Sequence, residues 1–155
     1  MHEPSLLVYL AGEIHSDWRE RIVSLASERA LPIEFMEPVT DHAASDDCGG
    51  ATLGTESSVF WHDHKGAKVN AIRTRTLLNR ADVVVACFGE QYRQWNAAFD
   101  AGFAVALGTS LITIHPESLD HALKEVDGAA LAVARKPEQV VDVLTYVIRG
   151  ELHKG

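Results

Sequence analysis

The sequence predicts an α/β domain with a flavodoxin-like fold: a three-layer sandwich around a five-stranded parallel sheet of order 2-1-3-4-5. Two observations carry that expectation. The apolar runs Leu6–Ala11 and Val83–Phe88 are continuous rather than alternating, as in strands covered on both faces. Between such runs lie stretches with apolar residues at helical spacing, and strands that alternate with helices pair in parallel through right-handed crossovers. At 155 residues, the whole of 1–155 suits one domain with a substantial core.

In chain order, the first strand ends at Gly12. Ser16 then offers an N-cap, with Asp17 and Glu20 in the first helical turn, where the helix dipole favours acids. Trp18, Ile22, Leu25 and Ala26 mark a helix to about Arg29, and Ile33–Met36 reads as a short second strand after Pro32. Glu37 to about His64 holds Pro38, Gly49, Gly50 and Gly54 and many small polar residues, and is expected to be a long binding loop. A helix over Lys65–Arg80, the strand Asp82–Phe88 and a helix over Trp95–Leu107 follow. In the last of these, Trp95, Phe99 and Phe103 are spaced by four and are expected to pack on the sheet. Leu111–His115 is the fourth strand, and a short helix near Leu119–Lys124 leads to a fifth over Ala129–Val133. Pro137 opens a final amphipathic helix whose inward face is Val140, Val141, Leu144, Val147 and Ile148.

Hydrophobic residues make up 46% and charged residues 23%, an ordinary globular composition. With 22 acidic and 14 basic residues the formal charge is −8, which disfavours nucleic acid as a partner while leaving room for a small phosphorylated ligand on a local basic cluster. No apolar run is long enough for a membrane span and the N-terminus lacks a signal-peptide pattern, so a cytoplasmic location is expected. Cys48 and Cys87 have no metal-site or disulfide spacing, and Cys87 reads as a buried thiol. There is neither a P-loop nor a dinucleotide fingerprint, and no cofactor is implied.

Ligands of open parallel sheets sit beyond the carboxyl ends of the strands, where strand order reverses. That rule selects Gly12–Arg19, the segment after the second strand and Gly89–Asp100. Within these, Glu13, Asp41, Asp63 and Asp100 are the candidate catalytic acids. Tyr9, Gly12, His15, Arg73, Arg75, Trp95 and Asn96 are candidate ligand contacts, with at most one of the two arginines expected to face a given ligand. Metal hydrolysis by His42, His62 and His64 is a weaker alternative, because a bare H-x-H spacing defines no coordination geometry.

Four segments carry a resemblance: Val8–Arg19, Pro38–His42, Asn70–Thr76 and Gln94–Gly102 look like the bacterial YtoQ family. More distantly, Tyr9-Leu10-Ala11-Gly12-Glu13, Ala81-Asp82-Val83-Val84-Val85 and Asn96–Ala104 resemble motifs of nucleoside 2-deoxyribosyltransferases and 2′-deoxynucleoside 5′-monophosphate N-glycosidases. The resemblance implies a nucleoside or nucleotide ligand, attack of Asp100 on the anomeric carbon of the sugar, and assembly as a homo-oligomer. A non-catalytic nucleotide-binding or sensing domain of the same fold is the alternative. Three positions depart from the wider pattern: Glu13 stands for a proline, Asp100 for a glutamate, and Thr74 for an aspartate.

Overall fold

The computed structural model describes residues 5–155, so Met1–Pro4, which enter the reading of the N-terminus, lie outside the described residues. Strands β1 (Leu6–Gly12), β2 (Ile33–Met36), β3 (Val83–Cys87), β4 (Ser110–Ile114) and β5 (Ala132–Ala134) form one sheet in the order β2-β1-β3-β4-β5. Every pairing is parallel, with Tyr9 beside Val84 and Gly12 beside Cys87 in the central pair. The helices are α1 (Trp18–Glu28), α2 (His42–Leu53), α3 (Val59–Arg80), α4 (Trp95–Ala106), α5 (Lys124–Ala129) and α6 (Pro137–Arg149). The flavodoxin-like architecture is therefore as the sequence predicts. Among the described residues, no helix is long and apolar enough to cross a membrane.

Side chains alternate across each strand, and so the sheet carries two cores. Val8 and Leu10 join Val83, Val85, Ile112 and Ile114 on the face covered by α1 and α6. Tyr9 and Ala11 join Val84, Ala86 and Leu111 on the other face, under α3 and α4. Cys87 is buried, and that burial pushes its thiol up to about 12.

Several local expectations are corrected. The segment Glu37–His64 is mostly helical: Asp41 caps α2, its side chain accepting from the Ala44 amide at 2.7 Å. Of the glycines read as loop formers, Gly54 ends α2 at φ +99°, whereas Gly49 lies inside the helix and serves packing. A Cβ on Gly49 would lie 2.5 Å from the Gly66 nitrogen, so these two glycines let α2 lie directly against the backbone of α3. Ser16 does not cap α1, because its hydroxyl goes to the Glu13 carboxylate and Asp17 takes the cap position. The short helix near Leu119 is instead a 3₁₀ turn at Glu117–Leu119, and α5 begins at Lys124. Asp127 accounts for the shift: it bonds Thr113 (2.8 Å) and His115 (2.8 Å), drawing residues 124–129 onto β4 and moving β5 to Ala132. On α6, Val147 faces solvent and Thr145 is buried in its stead, bonded to the Val141 carbonyl.

Replacing Gly49 by alanine is expected to separate α2 from α3. Overpacking of this kind costs roughly 1–3 kcal/mol, only partly offset by alanine's better helix propensity. Urea denaturation checks this, and an unchanged or raised midpoint would contradict the close packing.

Candidate active site

The largest correction to the sequence reading places the site. Trp95 and Phe99 are 72% and 66% exposed, and the face of α4 turned to the sheet is Ala97, Ala101 and Ala104. Alanines let a helix approach a sheet of β-branched residues more closely than aromatic rings allow. With that face committed, the next face of the helix carries Asn96, Phe99, Asp100 and Phe103 into a cleft against α3. On α3 the lining residues Ala67, Asn70, Ala71, Thr74 and Leu78 recur at three- and four-residue spacing, which is one helical face, with Arg73 and Arg75 at its margins. Pro38 and Val39, leaving β2, and Ser45 of α2 close the third side of a cavity of about 320 Å³.

Asp100 is half-buried there, and desolvation alone raises its carboxyl pKa from 3.8 to about 6. Near it is Tyr9, fully buried on β1. Its hydroxyl makes no bond of acceptable geometry, although the Thr74 side chain and the Asp100 carboxyl are close enough to perturb it. Proximity without alignment is not a hydrogen bond, and the hydroxyl is unpartnered. Burial first, then the Asp100 charge, pushes the phenol up to about 12, with Thr74, Arg19 and Arg73 working the other way.

The other candidates separate into distinct places. Gly12, Glu13, His15 and Trp95 line an adjoining hollow that shares Asn96 with the cleft. Gly12 adopts φ +130° and packs so closely on the Cys87 backbone that a side chain has no room. Glu13 is buried, and its carboxylate accepts from the His15 amide (2.7 Å), the Ser16 amide (3.1 Å) and the Ser16 hydroxyl, fastening the turn after β1. His15 lies against Tyr92 with ring centroids 4.5 Å apart. Asp41 is the α2 cap, and Asp63 is exposed on α3 outside the cleft lining. Both arginines border the cleft: Arg73 donates to the Glu37 carbonyl at 3.2 Å, and the Arg75 guanidinium lies 5.9 Å from the Phe103 ring centroid.

Arg19 has a part that the sequence did not assign to it. It is 5% exposed and donates to the Leu10, Gly12 and Glu13 carbonyls at 3.2, 3.1 and 2.8 Å. Burial lowers its pKa, with Glu37, 4.0 Å away, opposing the shift. The adjacent Trp18 donates to the same Glu13 carbonyl at 2.8 Å. The visible signal was a Trp-Arg pair at a helix start directly after a strand-ending glycine.

The histidines of the metal reading are held apart in separate contacts. His42 faces Asp46 and His62 faces Asp47, each at 3.4 Å, while His64 stacks on Phe60. Among the described residues, His115, Asp120 and Asp127 are the group with ligand atoms near one another. They are already matched: the His115 ring nitrogens meet the Pro116 carbonyl and Asp127, and Asp120 is bridged by Arg135.

The family model described as nucleoside 2-deoxyribosyltransferase YtoQ matches residues 9–148. The chain belongs to the YtoQ family. It is 43% identical over 145 residues to the uncharacterised protein YtoQ of Bacillus subtilis (strain 168), covering 94% of this chain and 98% of that one. Among solved structures, it is similar to a conserved protein from Enterococcus faecalis V583 (TM-score 0.65, 16% identity, 93% of this chain and 99% of that one). It is also similar to a 2-deoxyribosyltransferase from Bacillus psychrosaccharolyticus (TM-score 0.53, 16% identity, 88% of this chain and 90% of that one). The chain thus shares the deoxyribosyltransferase-like fold expected from its motifs.

An acid whose folded-state pKa lies above its unfolded value binds more protons when folded, so its contribution to stability declines as pH rises from about 4 to 6. Asp100→Asn removes that burden and is expected to raise the melting temperature at pH 8, with the gain shrinking toward pH 4. Thermal melts across that range test it; a gain independent of pH would place the Asp100 carboxyl outside the desolvated cleft.

Proposed function

We propose that the protein acts at the N-glycosidic bond of a nucleoside or nucleotide, by hydrolysis or by transfer of the sugar to a second base. The observation that carries this reading is the Asp100 carboxyl, half-buried, shifted by burial alone and set near the Tyr9 hydroxyl. A carboxylate without a counter-ion is poorly solvated and therefore nucleophilic, and at neutral pH this one is mostly ionised. The family description and the fold shared with a 2-deoxyribosyltransferase support the same chemistry.

In this mechanism an Asp100 oxygen attacks the anomeric carbon as the bond to the base breaks, and the oxocarbenium-like charge is balanced by the carboxylate. The Tyr9 hydroxyl donates to the Asp100 carboxylate or the sugar ring oxygen, gaining the partner it otherwise lacks. The base leaves with its bonding electron pair and takes a proton from water in the open cleft, since Asp100 is the one carboxylate among the cleft-lining residues. Water then releases the sugar from the ester, or a second base does so and completes a transfer. Asn96, one helical turn before Asp100 on the same face, is placed to bond a sugar hydroxyl.

The lone carboxylate also favours a second reading, a domain that binds a nucleoside or nucleotide without turning it over, because Thr74 stands where the resembling enzymes have an acid. Base release from nucleosides and nucleotides, followed by chromatography, separates the two. For an enzyme, Asp100→Ala should lower the rate by about 10³-fold or more. The wild-type rate should rise with pH to a plateau through a midpoint near 6, as the nucleophile ionises. Ligand-induced stabilisation with no base released under any condition would leave the binding reading instead.

A further inference from the structure

Helix α2 is held lightly along its length and firmly at its ends. The residues that it buries are Gly49 and Gly50, so among the described residues it adds no apolar side chain to either core. Its packing partner is α3, and there the contact is backbone on backbone at Gly49 and Gly66. An element with so little buried apolar surface lies at the low end of local stability. Two adjacent glycines within it also favour coil once the α3 surface is removed. Both ends, by contrast, are pinned. At one end the Glu37 carbonyl accepts from Arg73 at 3.2 Å, and the Glu37 carboxylate lies 4.0 Å from Arg19. At the other, Lys65 donates to the Gly54 carbonyl at 2.8 Å and pairs with Glu56.

Between those pins the side-chain ties to α3 are few. The Asn70 amide donates to the Ser45 carbonyl at 2.9 Å and to the Ser45 hydroxyl at 3.3 Å. The Cys48 thiol points at the Gly66 carbonyl at 3.5 Å, and His62 faces Asp47. Asn70 and Ser45 also line the cleft, whose third side is Pro38, Val39 and Ser45. One hydrogen-bonded pair therefore both holds α2 down and closes the cavity of about 320 Å³ that Asp100 lines.

The geometry points to α2 as the gate of this cleft: the segment between Glu37 and Gly54 releases from α3 by local unfolding, and Asn70 is its latch. Release carries Pro38, Val39 and Ser45 away together and opens one side of the cavity, while the pinned ends keep the segment within reach. A ligand that touches this wall meets it only in the closed state, and so shifts the equilibrium toward closure. The gate stands apart from the glycosidic reading, since a cleft that only binds needs an entrance as much as one that catalyses.

Hydrogen exchange followed by mass spectrometry tests the gate directly. In the wild type, residues 42–53 should exchange about 100-fold or more faster than residues 71–80 in the carboxyl half of α3. Asn70→Ala removes the latch and should speed exchange over 42–53 by about three- to tenfold, the scale of one hydrogen bond, with α6 unchanged as the check on folding. The two native cysteines give a second reading. Dithiobis(nitrobenzoic acid) should label Cys48 at a rate that Asn70→Ala raises in the same proportion, while the buried Cys87 stays protected. Protection over 42–53 equal to that over 71–80, or exchange or labelling indifferent to Asn70→Ala, would overturn the gate. The probe of closure is 2′-deoxyadenosine. Where calorimetry shows that it binds, it should slow both exchange over 42–53 and labelling of Cys48 by about tenfold at saturation. Binding that leaves both unchanged would rule out a gating role while leaving the glycosidic reading intact. Where the nucleoside neither binds nor is cleaved, the glycosidic reading fails for it, and the response to Asn70→Ala decides the gate on its own.

Discussion

Helix α4 reaches the sheet through Ala97, Ala101 and Ala104, and the candidate site depends on that approach. A helix that lay on larger side chains would stand farther out, and the carboxyl one position before Ala101 would then be solvated like any surface aspartate. Because the seat is alanine, Asp100 is drawn into a half-buried position near Tyr9, and desolvation raises its pKa to about 6. The same seat turns Phe99 and Phe103 into cleft wall and leaves Trp95 to solvent, so packing and site are consequences of one choice of side-chain volume.

The opposite wall needs its own support. Beyond the last pairing of β1 with β2, Tyr9 beside Met36, backbone carbonyls would be buried without donors, and leaving them unmatched is costly. Arg19 and Trp18 supply those donors from the first turn of α1, while Glu13 accepts the amides of the following turn. Arginine and glutamate here hold loop geometry, fixing the strand that carries Tyr9. Glycine contributes at two places for the same steric reason: Gly12 beside the Cys87 backbone, and Gly49 with Gly66 where α2 meets α3.

Much of the fold was readable because burial on both faces writes itself into composition. Continuous runs such as Leu6–Ala11 and Val83–Phe88 leave few alternatives to buried parallel strands. Elements whose identity rests on partners were harder. Residues 42–53 are rich in glycine and small polar side chains, which intrinsic propensity assigns to loops, and only the α3 surface that they pack against makes them a helix. The end of α6 went the same way, with Thr145 buried because its hydroxyl can return to a backbone carbonyl. Asp100 and the two arginines could be named in advance by residue type and strand-end position. Their relation to one another could not, since it depends on which face of α4 the sheet claims.

The sequence by itself determined the sheet, its order and the strand ends near which a ligand belongs, because hydrophobic periodicity is a local property that survives in one dimension. It also carried enough motif to place the chain in its family. Only the tertiary structure decided that Glu13 is a fastener, that Asp41 is a helix cap and that Asp63 faces solvent. Desolvation and hydrogen-bond partnership belong to three-dimensional neighbourhoods, and a carboxyl group is the same in sequence whether it holds a loop, caps a helix or waits unpartnered in a cleft.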